Sequence, residues 1–174
     1  MRLPALQGRA IRVRFLPDLR AGSRKVYSQR PHGQPVHAAS FIRKRKMILD
    51  QELQRRHNEL ARIVVHELFH FVWVRLGNPV RRSYLALLKQ EWKERARGEL
   101  GWSAELRKAR LRKPARSGRR ADQWRDYACE SFCDTAAWLY SGVRRHPEFK
   151  LAAGHRKRRV EWFRATFSSG AIPI

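Results

Sequence analysis

The chain has 174 residues, the length of about one domain. Its 39 Lys and Arg against 15 Asp and Glu give a formal charge of +24, and 43% of its residues are hydrophobic, enough for one core and too many for wholesale disorder. No run of about 20 apolar residues is present, which excludes a transmembrane helix, and two cysteines, Cys129 and Cys133, exclude a disulfide framework.

The opening Met1-Arg2-Leu3-Pro4 lacks the apolar segment of a signal peptide, so a cytoplasmic location and no membrane partner are expected. Ile11-Arg12-Val13-Arg14-Phe15 alternates apolar and basic residues, as a half-buried strand does. Lys25-Val26-Tyr27 reads as a second strand before a Pro31-His32-Gly33-Gln34-Pro35 turn, and residues 41–49 as a third, with a basic middle and an apolar end. A helix follows, capped by Asn58 and stopped after about Leu76 by Gly77-Asn78-Pro79. It is apolar on nearly every side, through Ile63, Val64, Val65, Leu68, Phe69, Phe71 and Val72, which puts it inside the protein. Residues 83–97 form an amphipathic helix carrying Tyr84, Leu87, Leu88 and Trp92. Residues 107–120 are basic and broken by Pro114 and Ser117-Gly118, as in a solvated loop or helix end. Asp122 caps a third helix that Gly142 closes, a short helix spans about 156–167, and the tail from Ser168 to Ile174 is loose. The expected fold is a single α+β domain over residues 1–174, with its core at about 10–167. A small N-terminal sheet packs on the buried helix, and the third helix closes the site.

The polar residues of the buried helix carry the chemistry. His66-Glu67-Leu68-Phe69-His70 is an H-E-x-x-H motif. Residues i and i+4 stack on one helical face, so both imidazoles can reach one ion, with Glu67 beside them as general base. Two histidines and a glutamate are costly in an apolar helix unless paired or metal-bound. A catalytic zinc needs a third protein ligand and an open position. Glu130, on the third helix, can be that ligand, and Asp134, one turn on, can hydrogen-bond the outer nitrogen of a ligand histidine. Cys129 and Cys133 are alternative ligands whose more ordinary role is small core filling. Tyr127 can donate to a developing oxyanion, with His146 and His155 as alternatives.

His66-Glu67-Leu68-Phe69-His70 followed by Glu130-x-x-x-Asp134 resembles the gluzincin metallopeptidases. In that class the third zinc ligand is a Glu on a second helix, with an Asp four residues later. The lead-in from Arg45 to His66 is similar to small bacterial zincins of the SprT and ImmA kinds. Residues 130–139 and His146-Pro147 are similar to the CAAX prenyl endopeptidases. The resemblance implies a zincin-like fold and peptide-bond hydrolysis, with zinc as cofactor and a protein or peptide as substrate.

The sequence thus reads as a zinc metallopeptidase, with zinc on His66, His70 and Glu130, Glu67 as general base and Asp134 orienting a ligand. The charge raises an alternative from another class, a non-catalytic zinc-containing module that binds nucleic acid. Basic runs at 107–125 and at Arg156-Lys157-Arg158-Arg159, with Trp124 and Trp162 nearby as stacking platforms, would supply that surface. A GC-rich coding bias toward Arg accounts equally for the charge. A peptidase acting on nucleic-acid-bound proteins would combine the two readings.

Overall fold

The structure, a computed structural model, describes residues 3–22, 25–114, 119–168 and 170–174. It is a mixed α/β arrangement of small sheets and five helices. Strands β1 (Leu6–Gln7), β2 (Arg12–Leu16), β3 (Leu19–Gly22), β4 (Lys25–Ser28), β5 (Gln34–Pro35), β6 (Ala38–Phe41) and β7 (Lys46–Asp50) precede helices α1 (His57–Trp73), α2 (Asn78–Lys93), α3 (Trp102–Leu111), α4 (Arg120–Tyr140) and α5 (Ala153–Thr166), and β8 (Ile172–Pro173) ends the chain. Among the described residues no helix is long and apolar enough to cross a membrane.

The sheet beside the helices has the order β2-β7-β6, with β2 parallel and β6 antiparallel to the central β7. Met47, Ile48 and Leu49 of β7 are buried, as a central strand requires. The strand expected over 41–49 is in fact two. Ile42–Lys44 form a 3-10 turn, and Arg45 takes a left-handed conformation at φ 45°. Folding the chain there puts the run of like charges on a turn and lets β6 pair back on β7, Ala38 opposite Leu49 and Phe41 opposite Lys46. The first strand also differs from expectation. It is an edge strand with no cover on either face, so Val13 is 48% exposed despite the alternating pattern. A second sheet, β4-β3-β5, is tied to the first through Asp50, whose Oδ2 accepts the Leu19 N–H at 2.8 Å.

The main core lies where α1 crosses α4, with Phe69, Phe132, Tyr84 and Phe163 fully buried. Phe132 stacks on Phe163 at 5.0 Å between ring centres, and Tyr84 meets Phe132 edge-on at 5.6 Å. Gly77-Asn78-Pro79 does end α1, but it also starts α2. Gly77 is the extended N-cap and Pro79 occupies the first turn, where its missing N–H costs nothing, so α2 begins five residues before Ser83. The basic 107–120 segment is partly helical. Ala104, Lys108 and Leu111 fall on one face of α3 and are buried, and residues 115–118 lie outside the described ones. The tail is also anchored, since Ile172, 1% exposed, pairs in parallel with Leu6.

Arg159 of α5 is completely buried. Its guanidinium donates to both carboxylate oxygens of Glu91 on α2, at 3.0 and 2.6 Å, and to Glu99 before α3 at 2.9 Å. Thr135 on α4 accepts a further bond at 3.2 Å, and Lys108 on α3 joins Glu99 at 2.8 Å. Burial works to raise the Glu99 pKa, but the charges of Arg159 and Lys108 outweigh it and hold the carboxyl below the ordinary range. Replacing Arg159 by Ala would leave the buried Glu91 carboxylate without a cation and Glu99 with Lys108 alone. We expect it to destabilise the fold by about 3–5 kcal/mol in denaturant titration, against about 0.5 kcal/mol or less for Lys157→Ala on the exposed face.

Candidate metal centre

Helix α1 brings His66 and His70 together on successive turns, their rings 4.9 Å apart and nearly perpendicular. The apolar helix around them, from Ile63 to Val72, fixes the axis against α4, which supplies Glu130 and Asp134. Glu130 Oε2 stands 3.4 Å from His66 Nε2 and 4.0 Å from His70 Nε2. Nitrogen and oxygen ligands at ~2.0–2.2 Å from a tetrahedral ion stand roughly 3.3–3.6 Å apart. The His66–Glu130 pair already has that spacing, and the His70 pair needs a closure of about half an ångström. His66 Nε2, His70 Nε2 and the Glu130 carboxylate therefore fit a borderline cation such as zinc.

The outer nitrogens are both held. His66 Nδ1 donates to Asp134 Oδ1 at 2.7 Å, leaving Nε2 for a ligand role. Asp134 is itself fixed. Its Oδ2 accepts the Ala104 N–H at 2.9 Å, and Gly101 lies so close that a Cβ there would fall 2.2 Å from the Asp134 carboxyl carbon. His70 Nδ1 faces sulfur, with Cys129 Sγ and Cys133 Sγ each at 3.5 Å. The cysteines thus stand apart from the Glu130 set, on the other side of His70.

Burial pushes the His66 pKa down, but Asp134, with Glu130 and Glu67, reverses this and raises it well above the ordinary value. Burial likewise raises Glu130, yet His66, His70 and Arg107 bring it down to about 2. The Cys129 thiol is lowered to about 6, chiefly by its hydrogen bond with Cys133 and by His70 against the opposing effect of burial.

Glu67 lies on a cleft of about 600 Å³ together with His66, residues 34–38, Arg62, Trp102 and Glu148. The Ser40 hydroxyl on β6 donates to the Glu67 carbonyl at 3.2 Å, joining the strand to the backbone of the motif. Arg62, one turn before His66, bridges Glu59 and Glu148 at 2.9 Å each on the cleft wall. Sequence reasoning passed over Arg62 and read Arg107 only as part of a basic run, whereas Arg107 stands 4.0 Å from Glu130 Oε1. The signal for Arg62 is its i−4 spacing from His66, which gives it the same helical face. Arg107 has no comparable signal, because α3 reads as loop.

Four expected site residues need correction. Tyr127 is 1% exposed, and its hydroxyl donates to Glu99 within the Arg159 network, so it does not face the cleft as an oxyanion donor. Its position three residues before Glu130 turns it onto the adjacent, buried face of α4. Arg159 is core, and Arg156 donates to the Leu151 and Phe149 carbonyls that close its own helix start. Arg158 pairs with Glu94, so of the four-residue run only Lys157 is exposed and unclaimed by an acid among the described residues. The expected stacking platforms are half-buried against other aromatic rings. Trp124 meets Trp92 and Tyr127 edge-on, and Trp162 donates to Ser83 and packs on Tyr84. His146 is engaged by Glu59, and His155 faces Glu94 and Arg158.

Compared with protein-family models, curated proteins and solved structures, the chain has no match.

Two outcomes follow from the geometry. Gly101→Ala should drive the Asp134 carboxylate off His66 and lower metal affinity on the order of 10–100-fold in a competition assay with a chromogenic chelator. In the metal-free protein, Glu130, depressed to about 2, stabilises the fold above its unfolded value of about 4.5 and loses that contribution as pH falls toward 2. His66, raised, contributes fully below about 6.5 and loses its contribution as pH rises through the folded value. Denaturant midpoints should therefore fall on both sides of neutrality, and Glu130→Gln should lose less than the parent between about pH 6 and about pH 3.

Proposed function

We propose that the protein is a zinc-dependent metallopeptidase with a zincin-like, gluzincin-type site. The observation that carries this reading is the direction of the four ring nitrogens. Both Nδ1 atoms face partners, His66 the Asp134 carboxylate and His70 the two thiols, and both Nε2 atoms turn toward Glu130. The three nearby donors are two imidazole nitrogens and one carboxylate oxygen, the donor set of a catalytic zinc with an open position. Zinc held there would polarise a substrate carbonyl and make a water acidic enough to attack it.

The chain's own residues supply the rest. Glu67, adjacent to His66 and on the cleft, takes the proton of the attacking water and passes it to the departing amine. Asp134 keeps His66 in the tautomer that leaves Nε2 free, and the Ala104 N–H keeps Asp134 in place. Strand β6 pairs only with β7 among the described residues, and its first residue, Ala38, lines the same cleft. An extended peptide can therefore add to that edge beside Glu67. Such a site takes a protein or peptide in extended form.

The test separates base from ligand. Glu67→Gln should keep its fold and a stoichiometric zinc but lose roughly 10²–10⁴-fold in hydrolysis of a fluorogenic peptide library. Glu130→Gln should lose zinc itself, read by elemental analysis after dialysis. Full hydrolysis by Glu67→Gln, or full zinc occupancy in Glu130→Ala, would overturn the assignment.

A further inference from the structure

We infer that Cys129, Cys133 and His70 Nδ1 form a second cation site, for a thiophilic metal such as cadmium or cuprous ion, and that this site competes with the Glu130 set for His70. The competition rests on the zinc reading above, whereas the site itself does not. The two sulfurs lie on successive turns of α4 and converge on one ring nitrogen at 3.5 Å each, and all three donor atoms lie within 4.8 Å of one another. A nitrogen carries one proton or one lone pair, so it can bond only one of the two sulfurs at a time. A cation satisfies all three together; about 3.5 Å is the sulfur–nitrogen separation at a zinc-sized tetrahedral ion, and a larger soft ion needs the donors to part by a few tenths of an ångström. Two soft sulfurs and one nitrogen select a softer ion than two nitrogens and a carboxylate. Cys133 is buried, while Cys129 is half-exposed and gives the ion a way in.

Exclusion follows from the imidazole ring. A neutral ring holds one proton. If Nδ1 ligates, the proton sits on Nε2, and His70 no longer has a lone pair for the His66–Glu130 set. A metal on the thiols therefore removes one of three ligands from the neighbouring centre.

The test is a cadmium chloride titration of the reduced, metal-free full chain, followed by the ultraviolet thiolate-to-cadmium charge-transfer band. We expect the band to saturate at one equivalent, to halve in Cys129→Ala, and to vanish in the Cys129→Ala, Cys133→Ala double variant. It should persist in Glu130→Gln. In His70→Ala the midpoint should move to at least about tenfold more cadmium, with circular dichroism confirming the fold. In zinc-loaded protein, growth of the band should release zinc to a chromogenic chelator, and that release should drop in the double cysteine variant. No band in the parent, or an unchanged midpoint in a folded His70→Ala, overturns the site, and full zinc retention beside a saturated band overturns the exclusion. A parent that gives the band but hydrolyses no peptide supports this site and refutes only the peptidase reading.

Discussion

A single guanidinium, that of Arg159, sets the terms for the helical half of the molecule. A cation with no access to water must have every donor matched, because each unmatched one costs several kcal/mol. The matching groups come from α2, the loop before α3, and α4, and Lys108 and Tyr127 add a second layer around Glu99. Few arrangements of these elements meet that demand. Thr135, which faces Arg159, adjoins Asp134, which faces His66. The register that seats α4 on the buried charge is the same register that presents Asp134 and Glu130 to α1.

This coupling explains what could be read from the sequence. The H-E-x-x-H pair is a local signal, fixed by helical periodicity alone, and so is the i, i+4 relation of Glu130 and Asp134. Periodicity pairs the residues within each helix, and the packing of α1 on α4 brings the two pairs together. The coarse order of strands then helices was also legible. What was not legible depends on meetings between distant elements. Arg159 sits in a run of four basic residues, and nothing local marks it as the one that turns inward. Its burial is decided by Glu91 and Glu99, about sixty residues or more away in sequence. Tyr127 was misjudged for the same reason, since its partner Glu99 lies in a loop. Helix α3 was hidden because its buried face includes Lys108, a residue that pattern reading assigns to solvent.

The two histidines of the motif are supported by different chemistries. Asp134 is an acceptor that is charged, dry and fixed from two sides. The thiols beside His70 are polarisable, weaker acceptors. The asymmetry leaves His66 held by a fixed carboxylate and His70 by softer, weaker partners. In a chain with so many cations, six of the fifteen acids sit at contacts that decide geometry, in the Arg159 network, at His66 and beside Arg62.

The bond from Ser40 to the Glu67 carbonyl ties strand and motif into one rigid unit. That bond gives the cleft a ruler. On the peptidase reading proposed above, a peptide laid along the β6 edge that is unpaired among the described residues would slide in steps of two residues, roughly 6.6–6.8 Å, because a one-residue slip turns every side chain to the opposite face. Scissile bonds presented to Glu67 would then be sampled at alternate positions along a substrate. Side chains of one parity would meet the wall formed by Trp102 and Arg62, while the others point to solvent.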